Sequence, residues 1–587
     1  MSPTLLVRGL AQALTGQWLT GPIFDKELRI ASRRKITYIF RSLYLAAVIG
    51  LLALFWIEAT RSLSYTRSAA AVISRMSEVG MMLTAIVAWT QFIAAQIAAG
   101  ILLSTAISDE VNRRTLGVLL TAPITSLQIV GGKLLGALVQ VMVLVGLSLP
   151  ALAVVRVFGG VPWQFLSGAV CITLTTALFV GAMALFFSIL FQRAYGTILL
   201  TLLTLIGLFL LAPLLIELFD PVPRATRQWL LFNLNPYVAL AVLTEAMFMP
   251  GFAGRTSVSW PLHCGIILSL TLGLLLLCTA MVRRAARRQI IGAGHASRLG
   301  RSGTVVPRLR AIWGPPMVWK ELHQRLLGRR PILTALILGV LALMVLGTYV
   351  HWALEEGFDD AEWHLFYGML YMFIALLCTA VYAAAPVATE KEGRTWDGLL
   401  CTAMTDGQIL WGKVCGVARR CLPVWSLLLG HVFIFVLLGY IHPVALVQIP
   451  FVVFWSWAIV TGVGLFFSVR LRRATTAVIV NVLFFGILWI GLPFLLAMMF
   501  NVLTPGPEEP AEFYMDMLPF VHLGATLDAT ARSAWNPSPS LSYEWIFWSA
   551  DDVWSSSLWM LVVGGISTMV AYIFFSAARN RLRKSAG

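Results

Sequence analysis

Twelve apolar runs, at roughly 38–58, 80–106, 130–155, 163–190, 195–217, 259–282, 331–352, 364–388, 421–440, 445–469, 474–500 and 556–578, limit what this chain can fold into. Each is near the ~20 residues a helix needs to cross the hydrocarbon core of a bilayer. No water reaches that core to satisfy backbone N–H and C=O groups, so only a continuous helix or a closed barrel can span it. A barrel is excluded, because its strands would alternate apolar and polar residues over about ten positions. A soluble multidomain protein is excluded by 59% hydrophobic and 12% charged residues over 587 positions, and so are disordered, collagen-like and disulfide-stapled secreted chains. The sequence reads as an all-α polytopic membrane protein with twelve transmembrane helices.

The first 37 residues are polar and basic and lack the short apolar stretch and cleavage site of a removable leader, so the first span is expected to be permanent. Twelve spans then put both termini on one face. Lys and Arg near span ends are retained in the cytoplasm, and 35 of the 43 fall on the face bearing the termini. Acidic residues lean the other way, with Glu355, Glu356, Asp359, Asp360 and Glu362 in one opposite loop and Glu508, Glu509 and Glu512 in another. The expectation is a multi-pass protein of the inner or plasma membrane with cytoplasmic termini. A net charge of +16 is then a topology signal facing anionic headgroups, and nucleic acid is not the expected partner.

The seven cysteines (Cys171, Cys264, Cys278, Cys378, Cys401, Cys415 and Cys421) lie in spans or on the terminal face, without CxxC or Cys/His spacing. Neither a disulfide framework nor a metal site is expected. A phosphate loop is missing, since Gly132-Lys133 continues to Leu134 and Gly412-Lys413 to Val414, leaving no hydroxyl for magnesium. HExxH, GxSxG and a GxGxxG opening a helix are also missing, so neither an enzyme nor a resident cofactor is expected. His431, in mid-span, reads as a proton relay or, more in keeping with its type, as a histidine hydrogen-bonded inside the bundle.

The chain repeats itself. At an offset of 280, 114–136 lies over 394–416 with identical partners for Arg114, Thr115, Leu119, Leu120, Thr125, Gln128, Ile129, Gly132, Lys133 and Gly136, and LFFSILFQRA (185–194) lies over LFFSVRLRRA (465–474). Near the start, GPIFDKEL (21–28) resembles GPPMVWKEL (314–322), shifted by 293 to 294. Six spans per copy is an even number, so the repeat is parallel. The expected organisation is a cytoplasmic amphipathic segment (1–37), a six-span half (38–289), a cytoplasmic linker with a second amphipathic segment (290–330) and a second six-span half (331–587).

These residues resemble the type 2 (ABC-2) permeases of ATP-binding-cassette transporters. That family places a charged amphipathic segment before the first span. Between spans two and three it carries a cytoplasmic pattern matched here by Glu110, Arg113, Arg114, Thr115, Leu119, Leu120, Pro123, Gly132 and Lys133, and again by Glu390, Arg394, Thr395, Leu399, Leu400, Gly412 and Lys413. Asn235 and Pro236 match a frequent Asn-Pro between spans five and six; the second half departs, with Leu518 and Pro519 there and Met404 or Ala403 in place of Pro123. The resemblance implies an exporter whose ATP and magnesium are bound by two copies of a separate soluble ATPase, docked on the two coupling segments and driving alternating access. It also implies short re-entrant helices in the long outer stretches 218–258 and 501–555.

Independently of the family, Leu116, Leu119 and Leu120 at helical spacing, flanked by Glu110, Arg113 and Arg114, give an apolar stripe edged with charge, suited to a partner's groove or to headgroups. Duplication favours a paired docking surface, with Lys26, Glu27, Lys320 and Glu321 as a second contact. Glu110 is expected to pair with Arg113 and Arg114 on one exposed helix, so that its loss scarcely affects folding. Gln91, Gln96, Gln140 and Asn481 read as pathway-lining or, more often, helix-to-helix hydrogen-bonding residues. The substrate is left open, as are two other classes, a gradient-driven secondary transporter and a non-transporting membrane scaffold.

Overall fold

The computed structural model describes residues 17–33, 35–63, 69–108, 110, 124–156, 159–191, 194–218, 223–249, 259–299, 313–324, 331–355, 358–503, 509–532, 541–550 and 552–583. The chain divides into two compact units, Met1–Val306 and Pro307–Gly587. Eleven helices among the described residues are long and apolar enough to cross a membrane, or twelve with one bent pair. The run expected at 38–58 falls within the helix Lys35–Leu63, whose apolar stretch is Arg41–Leu54. The ninth expected span begins earlier than its apolar run suggests: the helix is Asp406–Leu437, started by a capping box and carrying Lys413 inside it.

Among the described residues, the first helix of each unit carries charged residues beside a glycine in the left-handed region, Gly21 (φ 55°) within Gln17–Arg33 and Gly314 (φ 81°) ahead of Pro316–Leu322. Side chains rarely adopt that backbone, which accounts for glycine at both copies. In the first unit follow Lys35–Leu63, Ala69–Ser104, Ser126–Arg156 and Trp163–Leu190. The helix Ala194–Ile206 then continues through a π-helical turn, Gly207–Leu211, into Ala212–Leu218. Arg224–Leu234 and Pro236–Phe248 meet at 100°, and Trp260–Leu299 ends the unit. The second unit repeats this order with Pro331–Glu355, Ala361–Ala384, Asp406–Leu437, Ala445–Arg470, Ala474–Gly486, a π-turn at Ile487–Gly491, and Leu492–Leu503. Its outer stretch adds Glu509–Met515, Pro519–Arg532 and a two-stranded hairpin before Val553–Arg581.

The π-turns fall at the same offset of 280 as the repeated sequence, and each has a carbonyl held by the outer stretch of its own unit. Asn235 Nδ2 donates to Phe209 O at 2.9 Å, and the Tyr514 hydroxyl donates to Leu488 O at 2.7 Å. A π-turn leaves carbonyls poorly paired inside an apolar environment, so a side-chain donor there is costly to remove. Asn235 also caps Pro236–Phe248, its Oδ1 accepting from the N–H of Tyr237 (2.9 Å) and of Val238 (3.4 Å). The Asn-Pro pair therefore makes the sharp bend and ties it to the π-turn, while Tyr514 performs the second task in the half that lacks Asn-Pro.

Asn235→Ala should lower the thermal unfolding midpoint of the purified chain, losing a cap worth about 1 kcal/mol and orphaning a carbonyl at a further 1–3 kcal/mol. Asn235→Asp keeps the cap but turns a buried carboxylate oxygen on the Phe209 carbonyl, so its midpoint should also lie below that of wild type. Two midpoints equal to that of wild type would refute the assignment.

Candidate functional site

The repeated charges come together. In the first unit Lys133, on the second turn of Ser126–Arg156, places Nζ 3.2 Å from Glu27 Oε1 and 3.3 Å from Glu110 Oε1, and Lys26 Nζ lies 3.9 Å from the same Glu110 oxygen. In the second unit Lys413 Nζ lies 2.7 Å from Glu321 Oε1 and 3.0 Å from Glu390 Oε1, with Lys320 Nζ 2.9 Å from Glu390. Four charges from three segments thus make the same lattice twice. Each joins the helix before span one to the end of span two and the start of span three.

Local sequence explains the geometry. The capping boxes Thr125/Gln128 and Thr405/Gln408 start the two lysine-bearing helices, each Thr N–H donating to the Gln side chain and each Gln N–H to the Thr hydroxyl. Where span two ends, the N–H groups of Ile107 and Ser108 donate to Ser188 Oγ (3.2 and 3.0 Å), and those of Val387 and Ala388 donate to Ser468 Oγ (3.0 and 3.1 Å). Gly136 and Gly416 let the glutamate helix approach: a Cβ there would lie 3.0 Å from Glu27 Cβ or 2.8 Å from Glu321 Oε2.

The two lattices differ in burial. The side chains of Lys413 and Glu321 are only 3% and 2% exposed, and Glu321 is held further by Arg420 Nη2 at 3.2 Å. Arg419 Nη1 donates to the carbonyls of Glu321 (3.2 Å) and Gln324 (2.8 Å). The first half has Val139 and Gln140 at the equivalent positions, and its Glu27 is more open.

These positions bear on two sequence expectations. Glu110 belongs to a lattice around a buried lysine, so its loss bears on folding. Lys133, Lys413 and Glu321 are buried, so any contact they make with a partner is indirect, whereas Lys26 and Lys320 remain open to solvent. Arg113, Arg114, Thr115, Leu119, Leu120 and Pro123 lie outside the described residues.

The second of the two segments expected to dock a partner is described in full. It consists of two short helices, Pro386–Glu392 and Trp396–Leu400, joined at Arg394, the one non-glycine with positive φ (54°) among the described residues. The turn is closed by the N–H of Arg394 donating to Lys391 O and that of Thr395 to Glu390 O. The Thr395 hydroxyl donates to the Glu390 carboxylate, joining the turn to the lattice. Trp396 is buried, and Leu399 and Leu400 pack with it against Val387, Ile409, Leu410, Val469 and Ala578. The leucine pair is therefore half-buried against its own unit, and Arg394, Thr395, Asp397 and Gly398 are among the segment's exposed residues.

The polar residues within spans are engaged inside their own units. Gln91 Oε1 accepts from Ser148 Oγ (2.7 Å), Gln96 Oε1 from the Tyr237 hydroxyl (2.9 Å), Gln140 Nε2 donates to Gly136 O (3.4 Å) and Asn481 Nδ2 to Ala380 O (2.8 Å). His431 has both ring nitrogens partnered, Nδ1 at 2.6 Å from the Tyr349 hydroxyl and Nε2 at 3.3 Å from His364 Nδ1. Sequence reasoning missed Ser188, Ser468, Arg419 and Arg420. The two serines stood at identical places in the repeated LFFS motif, which was the signal available.

Residues 22–287 match the model of a family described as ABC-2 family transporter protein. No curated protein matches the chain, and no solved structure does.

Removing one partner of a buried ion pair typically costs 3–5 kcal/mol, because the other charge stays behind without compensation. Lys413→Met should therefore sharply reduce the yield and unfolding midpoint of the purified chain. Lys133→Met should cost less, its carboxylates being better solvated. Equal, negligible losses at both positions would show that the lattices carry no stability.

Proposed function

We propose that this chain, whose residues 22–287 match a family described as ABC-2 family transporter protein and whose described helices are those of a multi-pass membrane protein, is a transport permease that exports its substrate by alternating access driven by two copies of a separate soluble ATPase. ATP and magnesium belong to those subunits. Docking is assigned to the two coupling segments, with Arg394, Thr395 and Asp397 as the contact surface of the second and Arg113, Arg114, Thr115, Leu119, Leu120 and Pro123 in the first. In this reading both termini face the cytoplasm and the protein lies in the cell membrane, which the basic residues on the terminal face support.

The observation that carries this reading is the duplicated lattice. A docking segment transmits force only if it is fixed to the spans it must move. In the second half, Glu390 and the Thr395 hydroxyl connect the exposed turn to Lys413 inside the following span and to Lys320 on the preceding helix. Movement imposed on the turn is thereby shared by three segments. A surface helix resting on headgroups requires no such buried tie.

Arg394 supplies a test that separates docking from folding. A non-glycine residue in the left-handed region costs of order 1 kcal/mol, so Arg394→Gly should leave the unfolding midpoint unchanged or raised. The same change removes an exposed cation from the docking surface. It should weaken copurification with a coexpressed soluble ATPase partner and reduce ATP turnover by the complex. Full association and turnover in Arg394→Gly combined with Asp397→Ala would overturn the assignment.

A further inference from the structure

The hairpin near residue 545 departs from the pattern that a water-exposed turn follows. Its strands pair Tyr543 with Ala550 and Glu544 with Ser549. They alternate as a sheet lying on a protein surface should, with Tyr543, Trp545 and Ala550 buried against Ala525, Ala529 and Met560, and Glu544 and Ser549 facing out. The tip breaks this rule, since Ile546 and Phe547 are both apolar and 44% and 41% exposed.

The backbone of the tip is also unusually well satisfied. The buried Asp516 carboxylate accepts from the N–H of Ile546 at 2.8 Å and from that of Phe547 at 3.0 Å, while the N–H of Trp545 donates to Trp548 O at 3.0 Å. Water serves such donors at no cost, so an aqueous turn gains little from a buried carboxylate. A turn entering an apolar medium requires internal partners.

The position of the tip identifies the medium. Phe547 packs on Phe513 at 5.9 Å between ring centroids, and Phe513 packs on Trp559 at 5.5 Å. Trp559 lies six residues into the span Val553–Arg581, about 9 Å along its axis at 1.5 Å per residue. The tip therefore lies alongside the membrane-entering helix and not above it. On that helix Trp554 is 84% exposed, and Leu558, Leu561 and Val562 continue the exposed apolar surface inward. The hairpin is fixed there by the Tyr543 hydroxyl donating to Gln448 Oε1 (3.0 Å), whose Nε2 donates to Ser557 Oγ (3.0 Å).

We propose that the 541–550 hairpin is an interfacial membrane anchor, with Ile546, Phe547, Phe513 and Trp554 seated in the lipid leaflet opposite the C-terminus. The occupant of this surface is phospholipid, because the patch continues the exposed apolar face of a membrane span. The residues that meet lipid are thus not Trp545, which is buried, but the tip and its neighbours.

The experiment uses the full chain in phosphatidylcholine nanodiscs, with Cys401→Ser removing the exposed cysteine. Ile546→Cys, Trp554→Cys and Glu544→Cys are each labelled with an environment-sensitive fluorophore. The labels at 546 and 554 should be quenched several-fold more by phospholipid carrying a shallow doxyl group than by aqueous iodide, and the label at 544 should show the reverse. Iodide quenching at 546 equal to that at 544 would overturn the proposal. Protection of 546 from both quenchers would overturn it too, in favour of a second copy of the chain covering the tip.

Discussion

A lysine ammonium held between two carboxylates below the reach of bulk water is the interaction on which each half depends. Lys413 is almost fully buried against Glu321 and Glu390, and charges in such a place are tolerated only when paired and hydrogen-bonded. Surrounding features are arranged to permit it. The repeated glycines bring the glutamate helix close, the capping boxes fix where the lysine helix begins, and the serine hydroxyls satisfy the backbone where span two breaks. Losing any of these would shift a charge away from its partner by an amount that a low-dielectric setting penalises heavily.

The two lattices share a plan and differ in strength. The second is sealed by Arg419 and Arg420, which clamp Glu321 and Gln324, whereas the first keeps its glutamates nearer to solvent. The outer regions differ as well. In the first half Asn235 makes the bend and holds the π-turn; in the second Tyr514 holds the π-turn and a hairpin occupies the outer end of the last span. The halves are therefore alike in the plan of the charged lattice and unlike in their outer regions.

Much of this was legible in the residues themselves. Apolar runs of membrane length located eleven spans, and the offset of 280 marked Lys133, Thr125 and Gln128 and the LFFS serine as repeated positions, but that the Thr and Gln cap a helix and the serines hold the backbone emerged only in the structure. What the spacing could not show is which charge meets which. Glu110 read as a partner of Arg113 and Arg114 because helical periodicity exposes only neighbours along the chain; Lys26 and Lys133, which meet it in the structure, come from segments brought close by tertiary packing. Leu399 and Leu400 likewise read as a docking face, since amphipathicity marks a buried stripe without saying whether the cover is the same chain or another. The hairpin was hidden among aromatic residues that resemble any membrane-interface belt.

The central claim, that the lattice is a single energetic unit tying the segment 386–400 to span three, is tested most directly by a double-mutant cycle on Glu390→Gln and Lys413→Met in the purified chain. Contacting residues in one ionic network couple by about 0.5–3 kcal/mol, whereas independent sites add within roughly 0.3–0.5 kcal/mol. The account predicts that the double variant is more stable than the sum of the single losses allows, because removing the lysine has already stranded the carboxylate that Glu390→Gln neutralises. Strict additivity of the two losses would contradict it.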